Sequence, residues 1–345
     1  MQEALRYALN LRFDEANEAL DAAKPEGEQT LEARLARGIV AYLQTHWQTR
    51  QRPPAHVTAR KLFTKIVEEG ERQLADTPHQ GRLQLLVGLA GVFGALLPEQ
   101  ETLWAPLQLA AQGRGRLQQA LMSGEDLNDP HLGLGMLYFV GEELPAIGRR
   151  LLGEDSLVGS EEAIRHLRLA SEGGRFSRDL ARTFLLRLYV TEQRYRDAAS
   201  LGESLRQAYP GNGYVALLTG LSQFENGDDA QAAETLGALA KALSQRPATL
   251  ARTADRFDLY YTWAQALLDT DQDEAAFEAF RDAINNDPRT SRDETLWAKF
   301  HLATLYDRRG LDETARQMFC TLLRGRGVED LHRQAEHRLG ARRCH

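Results

Sequence analysis

The sequence predicts an all-α solenoid of paired helices, and three observations carry that prediction. Apolar residues recur at helical spacing throughout the 345 residues, β-branched residues are rare, and no stretch sustains the two-residue alternation of a strand. Turn-forming clusters interrupt the pattern every 12–20 residues or so, the length of ordinary packed helices. A repeat is also present, since Ala198, Ala232, Ala276 and Ala315 open successive second helices at spacings of 34, 44 and 39. A single core stops growing near ~250–300 residues, so a longer chain is either several domains or an elongated array.

Along the chain, Arg12-Phe13-Asp14-Glu15-Ala16 reads as the turn and second helix of a unit whose first helix is shortened by the chain start. Breaks follow at Lys24-Pro25-Glu26-Gly27, Arg52-Pro53-Pro54, Thr77-Pro78 and Asn128-Asp129-Pro130. Further breaks fall at Gly173-Gly174, Tyr209-Pro210-Gly211, Asn226-Gly227-Asp228, Arg246-Pro247 and Asn286-Asp287-Pro288. From about 55 to 150 the helices are longer and less regular, which predicts a bundle that caps or fills the superhelix. Within it, Leu83–Pro98 is an uncharged run of sixteen residues, short of the ~20 that span a bilayer. It predicts a core helix whose Gly88, Gly91 and Gly94 let a neighbouring helix come close. Ala163, Leu167 and Ala170 repeat the second-helix pattern 35 residues before Ala198. The expected divisions are 1–54, helix pairs with the first unit truncated; 55–176, the less regular middle; and 177–345, regular repeats ending in a basic helix near Val328–Gly340.

The regular part carries a recognisable pattern. Four residues after each aligned alanine come Gly202, Leu236, Phe280 and Phe319, and Pro210 and Pro288 close two units. One unit reads Tyr260, Trp263-Ala264, Ala276, Phe280, Ala283 and Asp287-Pro288; the next reads Leu302-Ala303, Tyr306, Gly310, Ala315 and Phe319. This resembles the tetratricopeptide repeat, in which small residues let paired helices approach, large ones fill the gaps and Pro stops the helix. The segment Leu132-Gly133-Leu134-Gly135-Met136-Leu137-Tyr138, continuing through Leu144-Pro145 to Phe176, resembles bacterial repeat proteins. Over roughly residues 80–220 the chain is also distantly similar to the eukaryotic inclusion-body-clearance protein family. These resemblances imply a right-handed superhelix acting as an interaction scaffold, often exported in bacteria, with no catalytic residue to carry over.

Composition narrows the function classes. Apolar residues make up 43%, charged residues 26% and aromatics 8%, the balance of a folded chain, and a net charge of −7 offers no general attraction to nucleic acid. The last thirty residues, from Arg316, hold seven Arg against three acids. Such a tail suits an acidic partner or phosphates, or simply a solvated helix. Met1-Gln2-Glu3 opens directly into helical pattern without a basic and then apolar leader, as a chain trimmed of its leader would. Cys320 and Cys344 are the only cysteines. They either bridge the terminal helix to its neighbour or remain separate thiols. The start and the possible bridge together favour the bacterial periplasm over the cytoplasm.

No residue set points to catalysis. Gly211-Asn212-Gly213 and Gly113-Arg114-Gly115-Arg116 lack the strand–loop–helix frame of a phosphate loop and read as helix stops. His332 and His337 are five apart and so diverge on a helix, which predicts no metal site; His301 reads as a packed helix histidine. No cofactor is expected. In this repeat the first helices line a concave groove, and the resemblance places Arg187, Tyr214, Leu217, Leu221, Phe224, Tyr261, Gln265, Trp297, Phe300, Asp307 and Arg308 on its solvent-facing side. Tyr214, Tyr261 and Trp297 either anchor a partner or pack between units. The chaperone-binding variant of the repeat holds a C-terminal carboxylate with Lys and Asn. Here those places are Arg187, Leu221, Gln265 and Thr304, so that clamp is broken. The expected function is a non-enzymatic protein–protein scaffold that binds a partner segment in the groove. The alternative is a binding protein for a small apolar ligand enclosed by the superhelix.

Overall fold

The computed structural model describes residues 2–23, 30–47, 55–97, 104–125, 127–141, 159–246, 253–287, 293–325, 328–340 and 344. Among the described residues there are seventeen α-helices and no strand. In chain order they are α1 (Gln2–Leu9), α2 (Phe13–Ala23), α3 (Leu31–Trp47), α4 (Ala55–Asp76), α5 (Gly81–Ala95) and α6 (Trp104–Met122). Then come α7 (Pro130–Gly141), α8 (Ser160–Gly173), α9 (Arg178–Thr191), α10 (Tyr195–Ala208), α11 (Gly213–Glu225) and α12 (Asp229–Gln245). The last five are α13 (Thr253–Asp269), α14 (Asp273–Asn285), α15 (Asp293–Arg308), α16 (Asp312–Arg324) and α17 (Glu329–Leu339). The expected breaks at Lys24–Gly27, Arg52–Pro54, Pro247 and Pro288 lie outside the described residues.

The solenoid is written into the backbone of its turns. Leu11, Gln193, Gly227, Asp271 and Gly310 all have φ between 56° and 82°, and each lies five residues before an aligned alanine, Ala16 included. In each turn the next residue's N–H reaches back to a carbonyl one helical turn inside the preceding helix: Arg12 to Tyr7 (2.9 Å), Arg194 to Tyr189 (2.8 Å), Asp228 to Gln223 (2.8 Å), Gln272 to Leu267 (2.8 Å) and Leu311 to Tyr306 (3.0 Å). This is the left-handed helix stop that satisfies carbonyls the helix leaves unpaired. Repeating one stop at 34, 44 and 39 residues builds the same helix pair each time, and the five alanines are 0% exposed where the paired helices touch. Left-handed backbone costs a side-chain-bearing residue about 1 kcal/mol and glycine almost nothing. Gln193→Gly is therefore expected to stabilise by up to about 1 kcal/mol and Gly227→Ala to destabilise by a similar amount, read as opposite shifts of the urea midpoint.

The chain forms two compact units, Met1–Val215 and Ala216–His345. These differ from divisions at 54 and 176 because the first unit's ends meet. Gln2 Nε2 donates to the Arg175 carbonyl (2.8 Å), and Asn212 Nδ2 donates to the Leu9 carbonyl (2.8 Å). Neither contact has a signature in hydrophobic periodicity. The middle continues the pairing instead of forming a separate bundle. Its α5 is buried on nearly every side, and Gly88 and Gly91 meet Gly113 of α6 backbone to backbone. The run Gly113–Arg116 thus lies inside a helix, a correction to its reading as a stop. Two glycines two residues apart look like a turn in sequence, whereas Gly113 is there to admit another helix. Asp129, expected only as a break, is buried and accepts from the Phe176 and Ser177 N–H groups (3.0 and 2.9 Å) and the Ser177 hydroxyl (2.7 Å), setting the start of α9.

In the second unit the repeat residues form the core. Leu217, Leu236, Leu239 and Leu259 pack together, Ala264, Ala276 and Phe280 continue the layer, and Phe300, Ala315, Phe319 and Leu331 close it. Cys320 and Cys344 form a disulfide with Cα atoms 5.5 Å apart, tying α16 to the residues beyond α17.

Candidate functional site

Within the first unit, α3, α7, α9 and the end of α5 line a common cleft. Tyr42 and His46, four apart on α3, share one face with their rings 4.2 Å apart, and the His46 Nδ1–H donates to the Tyr42 carbonyl (2.9 Å). Leu96 and Leu97 follow α5, Met136 and Phe139 come from α7, and Phe184 and Arg187 come from α9. Together they enclose a cleft of about 310 Å³. A narrow pocket of about 40 Å³ shares Tyr42, His46, Phe184 and Arg187 and ends at Trp47 and Tyr214, whose rings are 6.4 Å apart. The wall is rigid behind Tyr42, which meets Phe93 edge-on at 4.9 Å, while Phe93 stacks on Phe63 at 5.9 Å.

The electrostatics of the cleft are simple. Burial pushes the Tyr42 phenol above its ordinary range, against the pull of the nearby Arg187 charge. Arg187 is exposed at the mouth, with its guanidinium carbon 5.6 Å from the centre of the Phe139 ring. Among the described lining residues there is no carboxylate.

Of the residues expected in the groove, only Arg187 and Tyr214 border this cleft. The others lie elsewhere, among them several packed in the second unit's core. Leu217 and Phe300 are 2% and 4% exposed, the first within the α11–α13 core and the second against Trp297, His301 and Phe319. Leu221 and Phe224 are half-buried against the same core. Tyr261 stacks on Phe257 at 5.5 Å and meets Phe280 edge-on, and Trp297 packs on Phe300 at 5.6 Å. Tyr261 and Trp297 therefore pack along their own helices and, for Tyr261, against the second helix of the same pair. Gln265 and Asp307 are partly exposed, and Arg308 is bound to Asp273 at 2.9 Å.

His301 is stacked on Phe280 at 5.2 Å, and burial pulls its pKa down to about 4. Among the described residues no three His, Cys, Asp or Glu side chains converge as metal ligands. Sequence reasoning passed over Tyr42, His46, Phe139 and Phe184 in the cleft, although Tyr42 and His46 carry a signal in their i, i+4 spacing. It also missed a buried pair away from the cleft: His131 Nδ1 and His166 Nδ1 are 2.7 Å apart, and Tyr138 stacks on His166 at 5.1 Å.

No protein-family model matches the chain, and no curated protein matches it. Among solved structures, one titled MamA RS-1 ArsTM double mutant is similar with 19% identity over 57% of this chain and 95% of that one, at a TM-score of 0.40. Yeast Tom70 is similar with 13% identity over 90% of this chain at a TM-score of 0.41, and the match spans 64% of the Tom70 chain. Neither likeness bears on function.

Proposed function

We propose that this chain is a non-enzymatic binding scaffold whose recognition site is the cleft of its first unit and whose ligand presents an apolar group. The carrying observation is the cleft itself: about 310 Å³ walled by Tyr42, Leu97, Met136, Phe139 and Phe184, with the Arg187 guanidinium at the mouth. A concave, mostly apolar site with few polar groups is the usual form of a small-ligand pocket, and desolvating such walls drives association. Among the described residues the lining offers surfaces to hold a molecule and no paired acid, base and nucleophile to transform one. This reading favours the enclosed-ligand alternative over the row of groove aromatics, which is used up in packing.

Titration with the neutral fluorescent probe N-phenyl-1-naphthylamine tests it. Saturable binding of one probe per chain is expected. Phe184→Glu, which places a carboxylate among the apolar walls, is expected to weaken that binding at least tenfold while the thermal unfolding transition persists. Phe139→Glu serves if the first variant fails to fold. Absence of saturable binding, or binding indifferent to both substitutions in folded protein, would overturn the assignment.

A further inference from the structure

Arg187 shows what kind of apolar ligand the cleft is built for; this inference rests on the cleft being the binding site. Three arginines near it in the chain are neutralised within their own helical turns, whereas Arg178 and Arg196, like Arg187, have no carboxylate partner among the described residues. Arg182 pairs with Asp179 (3.4 Å), Arg194 with Asp197 (2.7 Å) and Arg206 with Glu203 (3.0 Å). Among the described residues no carboxylate pairs with Arg187, and its ring contact with Phe139 leaves guanidinium N–H groups for another acceptor. The described wall residues supply no competing negative charge. A planar guanidinium at the edge of a mostly apolar cleft is matched by a carboxylate, which it can hold through two parallel hydrogen bonds.

We propose that the cleft binds a small apolar monocarboxylate, its hydrocarbon body lying among Tyr42, Leu97, Met136 and Phe184 and its carboxylate paired with Arg187. Size sets the scale. At roughly 30 Å³ per water-sized atom, a cleft of about 310 Å³ holds about ten heavy atoms, a medium-chain acid such as octanoate. Among the described lining residues Arg187 is the one guanidinium or ammonium, which sets a single charge requirement. This differs from the clamp of the chaperone-binding repeats, which takes an acidic chain end in an open groove.

The experiment is displacement of N-phenyl-1-naphthylamine from the full chain by octanoate, octanol and octylamine. Octanoate is expected to displace the probe at a concentration at least tenfold below octanol, with octylamine the weakest of the three. The octanoate-to-octanol ratio is read in each variant, which divides out any change in probe affinity. Arg187→Gln is expected to bring that ratio close to one, and Arg187→Lys to retain part of it. Equal displacement by octanoate and octanol, or an unchanged ratio in Arg187→Gln, overturns the anion selection while the apolar cleft stands. A wild-type protein that binds no probe removes both readings. A short peptide with a free C-terminal Phe that displaces the probe where octanoate does not overturns the small-molecule occupant in favour of a protein chain end.

Discussion

Replacing Gly113 with Ala is expected to destabilise the first unit by about 3 kcal/mol, whereas the same change at Gly115 is expected to leave it unchanged or add about 1 kcal/mol. Both glycines lie in α6, so helix propensity favours alanine at each. They differ in what the new methyl meets. At Gly113 a Cβ would lie 2.8 Å from the Gly88 carbonyl oxygen and 3.0 Å from the Val92 nitrogen, while at Gly115 nothing lies within 4 Å. A side chain in the way can change rotamer, but the backbone of a packed helix cannot. α5 and α6 must therefore separate, loosening Leu89, Val92 and Leu117, none of which is measurably exposed. Domains are stable by only about 5–15 kcal/mol, so the loss is a large share of the total. Urea midpoints of the two single variants decide it. If both move down together, close contact is not the reason Gly113 is a glycine.

The second large effect is acid lability. Burial, reinforced by the charges of His131 and Arg165 and opposed by Glu162, pulls the His166 pKa from 6.5 down to about 4, and burial lowers His131 as well. The groups facing His166 are His131 and Tyr138 of α7 and Glu162 and Arg165 of its own helix. Two Nδ1 atoms 2.7 Å apart need one donor and one acceptor, so protonating both rings removes the bond and sets two N–H groups against each other. Between pH 6.5 and 4 the unfolded chain binds a proton at His166 that the folded chain refuses. Stability due to this group is complete above about pH 6.5 and falls as pH drops towards 4, by roughly 3 kcal/mol over the whole window. His301, also held near 4, adds a separate loss of the same sign in the second unit. Urea unfolding from pH 7 to pH 4 is expected to show this decline, and His166→Phe to flatten part of it. A variant with the wild-type slope throughout would mean that other groups cause the acid sensitivity.

Much of the fold was legible because it is local. The alanine spacings, the aromatic four residues on and the stripe of Gly88, Gly91 and Gly94 report which residues meet within a helix pair. Those contacts span only a few tens of residues, so periodicity records them. The misreadings have a shared cause. Gly113–Arg116 looked like a turn because two glycines near each other are ambiguous until a partner helix is placed against one of them. Leu217, Tyr261, Trp297 and Phe300 looked like groove residues because the generic first helix has an outward face. Here partners within the same pair occupy that space: Phe280 beside Tyr261, Phe319 beside Phe300, His301 on the helix of Trp297, and the leucines of α12 beside Leu217.

The sequence alone settles the all-α class, the paired helices and the order in which they stack, because each follows from spacing along one chain and from turns that close over five or six residues. The cleft belongs to the other category. Its walls come from α3, the end of α5, α7 and α9, elements far apart in the chain. Only the packing of those elements sets Arg187, which the repeat pattern places on a first-helix face, beside Tyr42, Met136 and Phe139. Packing between distant elements leaves no periodic trace, so where the binding face lies was decided by tertiary structure.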